Sequence, residues 1–190
     1  MSLEEKYKKE DLQNHIYNTP DTYVGGCDLI VETLQVFEPS KEKIINKECE
    51  YIPALFNIYN EILVNSKDQV TRLNELYKNN KSVNRVTEIK INIDKEKGEI
   101  SIMNNGDGID IVEHPKEKKN GKPIYIPQLI FGELLTSTNY NKNEKKVVGG
   151  KNGYGAKLTN IFSKSFKLET IDSLRKKKYT QLFRGNMKVI

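Results

Sequence analysis

Two glycine-rich segments, each set against a regular element, constrain this chain more than any other feature. Asn104-Asn-Gly-Asp-Gly108 ends a strand-like run, and Gly149-Gly-Lys-Asn-Gly-Tyr-Gly-Ala-Lys157 opens a helix-like one. Thr87 to Asp94 alternates, with Ile89, Ile91 and Ile93 on one side. Lys95-Glu-Lys-Gly98 is a turn, and Glu99 to Asn104 returns as a second strand. Ile100, Ile102 and Asn104 then share one face, the face expected to be buried.

The other elements follow from period and punctuation. Residues 1–18 read as a peripheral arm or short helix, and Asn18 to Gly26 as a turn-rich stretch. Leu29 to Phe37 reads as a strand broken by Glu38-Pro-Ser40. Pro53 suits the first position of a helix that runs to about Gln69. Leu55, Ile58, Tyr59 and Ile62 recur at helical spacing and predict its buried face, with Glu61, Asn65 and Asp68 as a polar stripe beside it. Lys116 to Lys122 reads as a charged loop with an Asn-Gly turn, and Pro127 to Leu135 as a short helix. Ala156 to Ser163 reads as a helix. Phe166 to Ile171 and Lys178 to Arg184 read as paired strands, around a basic run from Arg175 to Lys178 taken as a solvated turn. The sum is an α+β fold: a mixed, mostly antiparallel sheet with helices on one face.

Composition narrows the classes. With 36% hydrophobic and 30% charged residues over 190 positions, the chain can bury a core without disulfides or a metal. A net charge of +5 is compatible with a polyanionic partner without specifying one. No apolar run approaches the roughly 18 residues of a membrane span, and Met1 to Glu10 lacks the apolar core of a secretory signal. Secretion and membrane insertion are therefore not expected. Cys27, Cys49, His15 and His114 fall in no metal-binding spacing, and free thiols suit a reduced, intracellular setting.

Three segments can carry chemistry. Glycines in the 149–157 segment let backbone N–H groups approach an anion, and Lys157 in the first turn of the next helix opposes that helix's dipole unless an anion is bound. The segment lacks the Gly-Lys-Ser/Thr of a P-loop and the spacing of a dinucleotide fingerprint, and an ordinary loop and helix start is the competing reading. Glu61 and Asn65 lie one helical turn apart: a carboxylate can deprotonate a water, and an amide oxygen can ligate Mg²⁺. A solvated polar face is the plainer explanation. Asn104 falls on a face expected to be buried, where its amide needs partners that a purine edge could supply; a strand-end turn is the alternative.

The order of the three resembles the GHKL (Bergerat) ATPases, which fold as a two-layer α/β sandwich. Within them the chain closely resembles the N-terminal ATPase domain of type IIA DNA topoisomerases of eukaryotic or large-DNA-virus type. The resemblance is carried by Pro20-Asp-Thr-Tyr-Val-Gly25, Tyr51-Ile-Pro53, Glu61-Ile-Leu-Val-Asn65, Asn104-Asn-Gly-Asp-Gly-Ile109, Val112-Glu-His114, Leu129-Ile-Phe-Gly132, Leu134-Leu-Thr-Ser-Thr-Asn-Tyr140 and Gly149 to Lys157. It implies that Glu61 is the general base for water and that Asn65 holds Mg²⁺ and phosphate. It implies that Asn104, with Gly106 and Gly108, receives the adenine, and that Ser137, Thr138 and Asn139 contact ribose and phosphate. It also implies that Gly150, Lys151, Asn152, Gly153, Tyr154, Gly155, Ala156 and Lys157 wrap the triphosphate of ATP. Departures are Gln69 and Lys151, where the family usually carries Asn and Arg, and a longer stretch at Lys116 to Pro123.

The expected function follows from the resemblance: ATP binding and hydrolysis that drive DNA strand passage. The arm, 1–26, would cross to a second copy in a homodimer on ATP binding, and 27–190 would be the ATPase domain. The family's transducer and DNA-cleavage core would lie beyond this stretch, so 190 residues alone are expected to be nearly inactive. The location implied is the nucleus, or a viral factory or virion. Another GHKL ATPase, of mismatch-repair or chaperone type, is the alternative, and a non-catalytic nucleic-acid-binding module is a more distant one.

Overall fold

The computed structural model describes residues 9–136 and 154–190. The chain forms two compact units that divide within a long helix, one up to Ile58 and one from Tyr59.

In the first unit, Asp11 starts helix α1 (Leu12–Asn18) by accepting a hydrogen bond from the Asn14 N–H at 3.0 Å. Pro20 opens the short helix α2 (Pro20–Tyr23). Strands β1 (Ile30–Glu38) and β2 (Lys43–Tyr51) pair antiparallel along their full length, from Ile30 opposite Tyr51 to Glu38 opposite Lys43. Pro39–Lys41 forms a 3₁₀ turn between them. Strand β2 has no counterpart in the sequence reading, because Asn46, Lys47 and Glu48 follow Ile44 and Ile45 and destroy the alternation. Gly25 holds φ at +98°, which only glycine adopts easily. Its neighbours are fastened to the start of helix α3 (Pro53–Asn79): Asn57 Nδ2 donates to the Val24 carbonyl at 2.7 Å, and the Ala54 N–H to the Gly26 carbonyl at 3.0 Å.

In the second unit the rest of α3 is joined by three antiparallel hairpins and two short helices. Strand β3 (Ile89–Asp94) pairs with β4 (Glu99–Asn104) in a register that sets Ile89 opposite Asn104 and Ile93 opposite Ile100. Strands β5 (Glu113–Lys119) and β6 (Lys122–Tyr125) lead into α4 (Ile126–Gly132). Helix α5 (Gly155–Ile161) precedes β7 (Ser165–Asp172) and β8 (Lys177–Arg184), paired in register from Ser165 opposite Arg184. Mixed helices and antiparallel strands are the α+β class expected.

Three local expectations are corrected. Helix α3 runs on to Asn79, ten residues past the predicted end, because no glycine or proline stops it at Gln69. Beyond its first turn the buried positions are Ser66, Asp68 and Leu73; Ser66 and Leu73 fall on the side read from Leu55, Ile58, Tyr59 and Ile62, although Leu55 itself is 55% exposed. On that side Leu73 packs against the loop after β4. The isoleucine face of the β3–β4 hairpin is also largely open, with Ile91, Ile93 and Ile100 all exposed. Cover reaches it only near Asn104, where Leu73 and Val86 close on the glycine loop. Finally, Lys116 to Lys122 is a hairpin rather than a loop. Asn120 and Gly121 both take positive φ, 51° and 78°, the geometry of a tight two-residue β-turn.

The basic run near Arg175 is partly structural. Asp172 is buried; it accepts hydrogen bonds from the Ile111 N–H, the Arg175 N–H and Arg175 Nη1, each at 2.9 Å. Burial works to raise its pKa, but those hydrogen bonds and the guanidinium charge outweigh it and hold the carboxyl at about 2. Arg175 also pairs with Asp110. No helix among the described residues is long and apolar enough to cross a membrane.

Candidate functional site

The site grows from helix α3. Residues four apart in a helix fall 40° apart around its axis, so Glu61, Asn65 and Gln69 line one side over about 12 Å. Each meets a different neighbour.

Glu61 sits against the first residue of α5. A Cβ added to Gly155 would overlap Glu61 Oε2 and lie 2.9 Å from its Cδ. Glycine at 155 therefore lets the carboxylate rest on the helix backbone. Since the atom met is the free end of a flexible side chain, a methyl group there would push the carboxylate aside rather than break the fold. Burial raises the Glu61 pKa above the ordinary carboxylate value, which makes its ionised form a stronger base. Asn65, one turn on, donates from Nδ2 to the Glu61 carbonyl at 2.8 Å. Its Oδ1 takes no hydrogen bond from a described residue, and the residue is exposed.

Gln69 reaches the glycine loop: its Nε2 donates to the Asp107 carbonyl at 2.7 Å. This is the residue whose departure from the family pattern left its contact open in the sequence. The loop is also held from the strand side. Asp107 accepts from the Asn84 N–H at 2.9 Å, Asn84 Nδ2 at 2.8 Å and Ser173 Oγ at 2.5 Å. Desolvation works to raise the Asp107 pKa, but these hydrogen bonds prevail and lower it. Asn105 accepts from the Thr87 and Glu88 N–H groups, and the Ile109 N–H donates to Thr170 Oγ1 at 3.0 Å. Gly106 has no room for a side chain, since a Cβ would lie 2.6 Å from both Leu73 Cδ1 and Val86 Cγ2. At Gly108 a Cβ would overlap the Ile171 carbonyl oxygen and Thr170 Oγ1. Both glycines are thus accounted for by close packing of the loop. Asn104, half-buried at the strand end, makes no side-chain hydrogen bond to a described residue, so its amide is available.

Lys157 is among the largest fully buried side chains of the described residues, 1% exposed, and its Nζ donates to the Thr136 carbonyl at 2.5 Å. Desolvation lowers its pKa to about 8, and the nearby Glu133 opposes the shift. The conflict with the helix dipole is therefore met in part by a backbone carbonyl. Helix α5 is anchored further along by Asn160, whose Nδ2 donates to the Phe131 carbonyl at 2.9 Å. Ala156 is buried and Tyr154 lies directly before the helix. Ser137, Thr138, Asn139, Gly150, Lys151, Asn152 and Gly153 lie outside the described residues.

The donor set fits a magnesium ion carried by a polyphosphate. No group of three or more His, Cys, Asp or Glu residues among those described could hold a metal. Magnesium keeps several waters and takes one or two protein oxygens beside phosphate oxygens, and the open Oδ1 of Asn65 would suit one such position.

Sequence reasoning brought Glu61, Asn65, Asn104 and Gly155 into view and singled out Gln69 without a contact for it, but missed Asn84, Thr170 and Ser173. The sequence signal for Gln69 was that it stands where the resembled family usually carries Asn.

No protein-family model matches the chain. Curated relatives do. It is 46% identical over 190 residues to DNA topoisomerase 2 of Acanthamoeba polyphaga mimivirus and 43% identical over 187 residues to that of Drosophila melanogaster, each match covering 98% of this chain. It spans only 14% and 12% of those proteins. Among solved structures, it superposes on the ATPase and transducer domains of DNA topoisomerase II from Balamuthia mandrillaris with a TM-score of 0.88 and 40% identity, covering all of this chain and 44% of that one. The ATPase region of Saccharomyces cerevisiae topoisomerase II gives 0.84 and 42%, covering 97% of this chain and 45% of that one. In sequence and in fold, the chain matches the ATPase region of DNA topoisomerase II.

Proposed function

We propose that this chain binds ATP with Mg²⁺ on the side of α3 that bears Glu61 and Asn65, and hydrolyses it. Glu61 orients a water and takes its proton as the oxygen attacks the γ-phosphorus; the bond to the bridging oxygen breaks, giving ADP and phosphate. Asn65 holds the metal through Oδ1, Asn104 reads the adenine edge, and the 149–157 segment with Lys157 encloses the phosphates. Bound Mg²⁺ neutralises charge on the phosphate oxygens. The observation that carries the reading is the contact of Glu61 with Gly155, which puts the carboxylate at the entrance to the helix following the glycine segment.

In the longer protein we infer that hydrolysis drives passage of one DNA duplex through another, that residues 1–26 form an arm to a second copy, and that 27–190 act as the ATPase domain. The place of action is then where DNA is handled, a nucleus or a viral factory.

Calorimetric titration with a non-hydrolysable ATP analogue plus Mg²⁺ tests the reading. Asn65→Ala should weaken binding by about 10-fold to 100-fold, as expected for loss of a charge-assisted contact. The gap between the two proteins should shrink when Mg²⁺ is withheld. Equal affinities in the presence of Mg²⁺ would remove Asn65 from the metal's surroundings.

A further inference from the structure

We propose that Gln69 is a positioning residue for base recognition: by holding the Asp107 carbonyl, it fixes the Asn104 loop against the helix that carries Glu61 and Asn65. The proposal rests on the reading of Asn104 as the adenine contact.

The hydrogen bond is short, 2.7 Å, and part-buried, and its acceptor lies three residues after Asn104. The acceptor's neighbours leave the loop little slack. Gly106 is pressed between Leu73 and Val86, and Gly108 against the backbone of β7. The Asp107 carboxylate is tied separately, to Asn84 and Ser173, both outside α3. Of these neighbours, Leu73 belongs to α3 and packs without direction, while the ties to Asn84, Ser173 and β7 hold the loop from outside that helix. Gln69 adds from α3 a directional hydrogen bond to the loop backbone, on the same helix face as Glu61 and Asn65. It therefore sets the separation between the amide that reads the base and the residues that meet the phosphates. Without it, the Asp107 carbonyl is free to turn and Asn104 loses its fixed place relative to the phosphate end.

The distinction from a purely structural role lies in selectivity. Loss of a general prop should weaken every ligand alike. Loss of this prop should weaken only ligands that carry the base Asn104 reads. The experiment titrates the protein and its Gln69→Met variant with Mg²⁺ complexes of a non-hydrolysable ATP analogue, the matching GTP analogue and tripolyphosphate. Methionine keeps the length and removes the donor. The variant should bind the ATP analogue about tenfold more weakly, the weight of one part-buried hydrogen bond, with the other two ligands changed by less than about twofold. The preference for ATP over GTP should then fall about tenfold. Gln69→Glu, which places an acceptor against the carbonyl, should lose at least as much and reads the same point if the methionine variant folds poorly. An unchanged ATP preference in both variants would overturn the role of Gln69. A parent protein with no preference for ATP over GTP would overturn the reading of Asn104 instead, and the proposal with it.

Discussion

In the longer protein, Glu61→Gln should reduce ATP hydrolysis by about 10²- to 10⁴-fold, the usual weight of a general base, with nucleotide affinity nearly unchanged. The side chains are almost the same size, so the contact with Gly155 survives while the proton acceptor is lost. The pH profile adds a second signature. Burial holds the Glu61 pKa above the ordinary carboxylate value, so the base form disappears on acidification at a higher pH than for an exposed glutamate. The acid limb of the rate should follow that raised pKa and be absent from the residual activity of the variant. Stability should move the other way. A carboxyl with a raised folded pKa is favoured by folding in its protonated form, and its ionisation costs stability as pH rises past the unfolded value. Removing the charge should leave the melting temperature at neutral pH equal or higher. A variant that hydrolyses ATP at the parent rate would exclude Glu61 as the base.

Gly108→Ala should destabilise the protein by about 3 kcal/mol, the upper range for overpacking, and lower the melting temperature by about 6–12 °C. The added methyl overlaps the Ile171 carbonyl oxygen and lies 3.1 Å from the Ile171 carbonyl carbon. Backbone in a paired strand cannot step aside as a side-chain end can. Ile171 is opposite Lys178 in the β7–β8 ladder, so the strain must enter either that ladder or the 104–111 loop. Gly26→Ala is the control: nothing lies within 4 Å of its added Cβ, and the change should be worth less than about 0.5 kcal/mol. If thermal melts show the two variants alike, the close packing of the loop on β7 is wrong.

The parts of this molecule that were legible in its sequence are those fixed by local chemistry. Alternating isoleucines gave the β3–β4 hairpin to within two residues at its start, and Pro53 gave the beginning of α3. Gly106, Gly108 and Gly155 were readable as places where backbone must come close to something. What they come close to was not readable. Gly106 and Gly108 press on Leu73, Val86 and β7, contacts between residues far apart in the chain. Gln69 shows the same limit: its polarity was visible, but its acceptor depends on how the loop after β4 meets the helix. Strand β5 was hidden for another reason. Glu113-His-Pro-Lys-Glu-Lys-Lys119 has no apolar member to alternate, so its pairing depends on the turn at Asn120-Gly121 and the partner strand. The buried side of α3 was legible from its spacing, since Ser66 and Leu73 continue the side of Ile58, Tyr59 and Ile62, but the exposure of Leu55 on that side was not.

Three elements are proposed to meet one nucleotide: the Glu61–Asn65 face of α3, the amide at the end of β4 and the glycine at the start of α5. The most direct test follows the side-chain amides of Asn65 and Asn104 and the backbone amide of Gly155 by NMR during titration with Mg²⁺ and a non-hydrolysable ATP analogue. All three signals should shift, and their curves should fit a single dissociation constant. Signals from one element that stay still at saturation, or that titrate with a different constant, would show that the three do not share a ligand.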